Sequence, residues 1–205
     1  MTPLPSIQIL PVTVPVEAIC RRLGACGAAT PVQRHAVEAL LPAIQAALPA
    51  KGCYALRTIR SVTENQVQLE EGVVIQSENV AKLLRGNELA WFSAVTVGAR
   101  LPDMARQAMS KGDGTDALIL DAAGSECVEE AMNRLQAMAT RQLLSRRLAL
   151  DSRRFSVGYG DWALADQQLY FRMLPMEQMG VHLTPAFLME PEKTITAIAG
   201  VRLIR

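Results

Sequence analysis

The chain has 205 residues, half of them hydrophobic and a fifth charged, with a formal net charge of +1. That length holds one sizeable core or two small ones, and the balanced charge gives no basis for binding nucleic acid or a membrane surface. Cys20, Cys26, Cys53 and Cys127 form no CxxC pair and have no histidine nearby in sequence, which excludes a thiol-rich zinc signature and a disulfide framework and points to a reducing, cytoplasmic setting.

The N-terminal stretch MTPLPSIQILPV lacks a basic patch and is broken by prolines, unlike a signal peptide. From residue 5 to 16, Ile7, Ile9, Val12, Val14 and Val16 alternate loosely around Pro11 and Pro15, which reads as an edge strand or extended arm. Glu17 to Leu23 suits a short helix ending at Gly24, and Thr30-Pro31 resembles a helix start. Val37, Leu40, Leu41, Ile44 and Leu48 then recur at three- and four-residue steps, an amphipathic helix with His35 as a surface or boundary residue.

After Lys51-Gly52, CYALRTIRSV and VQLEEGVVIQ read as antiparallel strands joined by a turn at Thr63–Gln66. Ser77 caps a short helix stopped by Gly86. ELAWFSAVTVG is apolar enough for a central strand, and a helix follows from about Pro102 to Met109. No GxGxxG or GxxxxGK segment accompanies Gly98, so dinucleotide and P-loop fingerprints are absent.

A helical unit is expected from about Thr115 to Leu148, on the spacing of Leu120, Cys127, Val128, Ala131, Leu135 and Met138, with Gly124 permitting close packing. Glu126, Glu129 and Glu130 precede Arg134, Arg141, Arg146 and Arg147. That order suits the helix macrodipole with ordinary pairs such as Glu130 and Arg134, or else a basic patch continuing to Arg153 and Arg154.

The segment Asp151–Gln168, DSRRFSVGYGDWALADQQ, gathers Phe155, Tyr159 and Trp162 in a chain poor in aromatics. Gly158 and Gly160 around Tyr159 imply a turn with unusual dihedrals. A cation, backbone N–H groups and two rings suit a polar, partly planar small ligand. The same pattern also suits a glycine-punctuated connection with Tyr159 and Trp162 in the core. A helix over Gln167–Leu174 ends at Pro175, LTPAFLMEPEK is a loop able to line a pocket, and TITAIAGVRLI is a final strand. The order implies one α+β domain over residues 1–205, with residues 1–14 as an arm and a largely antiparallel sheet flanked by helices. His35 and His182 supply no metal cluster, and no catalytic nucleophile–base pair is evident.

Two segments carry a family resemblance. RFSVGYGDWALADQ at Arg154–Gln167 and LTPAFLMEPEKTITAIAG at Leu183–Gly200 resemble paired motifs of the activation (reactivation) domain of vitamin B12-dependent methionine synthase, especially its short stand-alone bacterial relatives. AVTVG at Ala94–Gly98 and DAAGSECVE at Asp121–Glu129 match weaker segments in the same order, so the resemblance spans residues 15–202. It implies S-adenosylmethionine as ligand and a corrinoid-binding methionine synthase or methyltransferase as partner. Cobalamin would arrive only on that partner, and reducing electrons from a flavodoxin-type donor.

By the same resemblance, Arg154 holds the ligand's methionine carboxylate, backbone near Gly158 and Tyr159 its adenosyl part, and Glu129 lies nearby on a helix. Gly160, Asp161 and Trp162 complete the expected site where the full-length enzyme has a GYPACP element. Ala163 and Val157 replace prolines of the pattern, and Thr194 and Thr196 replace its two serines. The implied function is reactivation by reductive methylation of the partner's cobalamin. The alternatives are an accessory module without S-adenosylmethionine binding and an unrelated enzyme using the same cleft.

Overall fold

In the computed structural model the described residues are 5–24 and 29–204. The expectations for residues 1–4 and for Cys26 lie outside them. The first strand, β1 (Gln8–Leu10), is the paired part of the proline-flanked arm among the described residues, and α1 (Val16–Arg22) follows. Helix α2 (Pro31–Ala47) starts where Thr30-Pro31 indicates: Thr30 and Gln33 form a reciprocal capping box. Strand β2 (Ala50–Val62) is long enough to take β1 and then β3 (Gln66–Leu69) along one edge, while β5 (Leu89–Thr96) pairs with the other. Between them lie β4 (Val74–Gln76) and α3 (Glu78–Leu84), capped by Ser77, whose hydroxyl accepts from the Val80 N–H at 3.1 Å.

Helices α4 (Arg100–Ser110) and α5 (Gly114–Leu144) come next, then β6 (Leu148–Leu150), α6 (Gln167–Met173), the small hairpin β7 (His182–Leu183) and β8 (Met189–Glu190), and β9 (Thr194–Leu203). Among the described residues the main sheet runs β4-β3-β2-β5-β9-β6, with β1 beside β2, and every pairing is antiparallel.

Alternation along β5 and β9 divides the core. Trp91, Val95, Ala197, Ala199 and Val201 face α1, α2 and α5, packing with Ile19, Val37, Ile44 and Leu135. Phe92, Ala94 and Ile198 face the other layer, made by α3, α6 and the segment after β6, with Leu84, Trp162, Tyr170 and Met176. β5 is thus covered on both faces, as its apolar run indicates.

Two expectations are corrected here. The helical unit ends at Leu144 rather than Leu148, because Arg147 takes a left-handed φ of 57° and turns the chain back so that residues 148–150 pair with β9. Within LTPAFLMEPEK, expected as a loop, Leu183 and Met189 pair across the β7–β8 hairpin. No helix among the described residues is long and apolar enough to cross a membrane.

Candidate functional site

Helix α5 carries a slanted polar stripe, Asp121, Ser125, Glu129, Asn133 and Gln136, at the three- and four-residue steps that bring side chains onto neighbouring turns. Two cations from elsewhere in the chain land on it. At one end Lys193, just before β9, places Nζ 2.6 Å from Asp121 and 3.0 Å from Ser125, with its side chain only 13% exposed. Its stem lies over Gly124, where a Cβ would come within 3.0 Å of the lysine Cγ, so the close packing expected there is packing against Lys193.

At the other end is Arg154. Nη1 donates to Gln136 Oε1 at 2.6 Å, Nη1 and Nη2 both donate to Asn133 Oδ1 at 3.1 Å, and Glu129 Oε2 lies 3.6 Å from Nη2. These three bonds leave Nε and the second Nη2 hydrogen, the edge of a guanidinium that meets a carboxylate side-on. Burial lowers the Arg154 pKa and Glu129 opposes that shift. The neighbouring Arg153 is 74% exposed and pairs with Asp151 at 3.4 Å.

Beyond Arg154 the chain is stitched to β9, since Phe155 and Ile198 exchange N–H···O bonds of 3.0 and 2.8 Å. It then turns tightly. Gly158 and Gly160 have φ of 86° and 55°, and the Gly158 N–H donates to the Trp162 carbonyl at 3.0 Å. A side chain at Gly160 would strike Asn79, whose Nδ2 lies 2.6 Å from the Cβ position.

The turn is held from two sides. Asp161 accepts from Ser77 Oγ at 2.7 Å, the Glu78 N–H at 2.6 Å, and the Asn79 N–H and Nδ2 at 3.3 and 2.7 Å. These bonds, with the Ser77 hydroxyl foremost, hold the carboxyl well below the usual carboxylate range. Trp162 is buried, stacks on Phe155 at 6.3 Å and 10°, and donates its indole N–H to Asp166 at 2.8 Å. Tyr159, between the two glycines, is left 69% exposed.

Arg154, Glu129, Phe155, Ser156, Tyr159 and Ile195 line a hollow of about 300 Å³. An adjoining hollow of about 170 Å³ shares Glu129, Ser156, Tyr159 and Ile195, and adds Val157, Gln167, Met189, Thr194 and Thr196. Together they form one cleft between the α5 stripe, the glycine turn and the start of β9. Larger hollows exist, including one of about 490 Å³ beside Arg106 and His182. The cleft is nevertheless the stronger candidate, because it joins a guanidinium edge, a carboxylate, a ring and a buried amide.

No protein-family model matches the chain, and no curated protein matches it. Among solved structures it is similar to the MetH reactivation domain in a crystal structure with AdoHcy bound, with a TM-score of 0.62 and 14% identity over 96% of this chain and 78% of that one. The fold is that of the MetH reactivation domain. The α+β class expected from sequence, a largely antiparallel sheet flanked by helices, is therefore borne out, and the sheet is curled.

Within this reactivation-domain fold the expected site residues separate. Arg154, Glu129 and Tyr159 meet at the cleft. Gly158 and Gly160 shape the turn without lining it, Asp161 is directed to the start of α3, and Trp162 belongs to the core. Of the ordinary pairs expected along the helix, Arg134 pairs with Glu130 at 2.9 Å, while Arg22 takes Glu126 at 2.6 Å and Arg141 and Arg146 line other hollows than Arg154. Ser156, Gln167, Met189, Thr194, Ile195 and Thr196 line the cleft without having been singled out as site residues. Their signal was membership of the two C-terminal motifs.

Proposed function

We propose that the cleft binds S-adenosylmethionine and that the protein supports reductive methylation of cobalamin carried by a separate corrinoid protein or methionine synthase. The observation that carries this reading is the side-on edge of Arg154, not engaged in a hydrogen bond and 3.6 Å from Glu129, beside Tyr159 in the fold of a domain solved with AdoHcy. Arg154 would hold the ligand's carboxylate and Glu129 its ammonium group. Backbone from Ser156 to Tyr159 would border the adenosyl part. The ligand supplies an electrophilic sulfonium methyl when bound. The chain's own task is orientation: presenting that methyl at an open mouth, beside an exposed tyrosine, to a nucleophile brought by the partner. Electrons would come from a flavodoxin-type donor.

Titration calorimetry with S-adenosylmethionine and S-adenosylhomocysteine tests the binding step. Saturable heats and mutual competition are expected. A folded protein giving neither at millimolar ligand overturns the reading.

One observation favours a second reading, an accessory module for a corrinoid-dependent methyltransferase without S-adenosylmethionine binding. Asn133 and Gln136 already engage Arg154, as they would engage a purely structural arginine. Recovery of a corrinoid protein in a pull-down, with no calorimetric binding of either ligand, selects that reading.

A further inference from the structure

Gln167, the first residue of α6, is 5% exposed and lines the inner hollow of the cleft. Its Oε1 accepts from the buried Thr196 hydroxyl at 2.9 Å, while Nε2 has no hydrogen-bond partner among the described residues. The backbone beneath it is fixed, because the preceding Asp166 takes the Trp162 indole N–H and Leu169 and Tyr170 pack into the core. The amide is anchored through its oxygen by the Thr196 hydroxyl. It offers two N–H donors and the second lone pair of its oxygen.

Val157, Met189 and Ile195 give the same hollow apolar walls. A buried amide with a donor and an acceptor side by side, between apolar walls, matches the chemistry of a planar base presenting an amino group next to a ring nitrogen. That is the bidentate pairing a glutamine makes with adenine.

We propose that Gln167 is the specificity-determining residue of the cleft and selects an adenine base over one whose amino group is replaced by a carbonyl. This rests on the reading above that the cleft takes an S-adenosyl ligand. The pairing uses the N6 and N7 edge; there hypoxanthine presents O6 and N7, both acceptors, so the amide oxygen loses its donor partner and faces a like dipole.

The test is calorimetry on the full chain with S-adenosylhomocysteine, S-inosylhomocysteine and adenosine. The variants are Gln167→Leu, Gln167→Leu/Thr196→Val and Arg154→Lys. The parent is expected to prefer the adenosyl over the inosyl ligand by roughly ten- to a hundredfold. Both Gln167 variants should bring that ratio close to one. The double variant, which removes both partners of the buried bond, keeps the test open if the single one unfolds. Arg154→Lys should weaken S-adenosylhomocysteine while leaving adenosine unchanged. Parent binding without base preference, or a preference that survives in the folded double variant, overturns the role of Gln167 and leaves the ligand reading intact. Absence of binding by all three ligands overturns both.

Discussion

Arg154 can be replaced in ways that separate its two jobs. Its three hydrogen bonds to Asn133 and Gln136 tie the segment after β6 to α5, and its side chain is only 21% exposed. A hydrogen bond to a charged group contributes about 1.5–3 kcal/mol when shielded. These bonds share acceptors and one flank is wet, so Arg154→Met should cost about 2 kcal/mol in total. For a chain of this size that lowers the melting temperature by about 4–8 °C. Arg154→Lys keeps one contact within reach and should cost about half as much.

Ligand affinity should respond differently. Lysine cannot present the side-on fork, so its binding of S-adenosylhomocysteine should weaken by about 2–4 kcal/mol, or roughly 30- to 1,000-fold. Arg153→Lys, on an exposed neighbour paired only with Asp151, should move neither quantity appreciably. Urea unfolding and calorimetry on the same preparations give both numbers. Parental affinity in Arg154→Lys would refute the carboxylate assignment, and a parental unfolding curve for Arg154→Met would refute the structural one.

Other consequences are independent of the ligand. Tyr170 is fully buried and its hydroxyl has no partner among the described residues, so Tyr170→Phe should raise stability by about 1 kcal/mol in urea unfolding; a loss of that size would mean the hydroxyl is bonded. Burial pushes the Cys53 and Cys127 thiols up to about 12, so at pH 8 iodoacetamide should leave both intact until urea is added, and mass-spectrometric detection of rapid native labelling would contradict this. The folded-state pKa of Asp161 is depressed, so its contribution is present above its unfolded value of about 3.9 and is lost as pH falls below it. The stability advantage of the parent over Asp161→Asn should accordingly be present at pH 6 and shrink towards pH 2; a gap that stays constant with pH would count against the cap.

The helices and the central strand were legible because local chemistry and burial agree there. Thr30-Pro31 and Ser77 cap the helices they precede, and the run from Leu89 to Thr96 becomes a strand covered on both faces. Strand β6 was not legible, because Leu148 continues the apolar spacing of Leu143 and Leu144 and nothing in the residue types announces the left-handed Arg147. The hairpin strands β7 and β8 have two residues each, too few for alternation to show. At the candidate site, scarce aromatics and paired glycines marked the right loop but not its directions. In a turn this tight Tyr159, Asp161 and Trp162 leave towards solvent, α3 and the core respectively. Gln167 and the two threonines were read as motif positions and not as cleft residues, because burial of a polar side chain is decided by what packs over it.

The α5 stripe explains why the cleft lies where it does. Helix α5 spans 31 residues, and one side of it is committed to the core through Leu120, Cys127, Ala131, Leu135 and Ala139. Its polar side cannot be buried against apolar strands, so it must meet polar groups from elsewhere. Lys193 and Arg154 meet it at the two ends and bring with them the start of β9 and the glycine turn. Glu129 falls between these two anchors, with only the 3.6 Å approach of Arg154. The middle of the stripe is therefore the place where two segments are fixed on either side of an incompletely engaged carboxylate. Because both walls are fastened to one rigid helix, the width of the gap is set by the fold before any ligand arrives. A preformed cleft loses less ordering entropy on binding than one assembled from mobile loops. That suits the proposed reading, in which the cleft holds one reactive group still in front of an incoming partner.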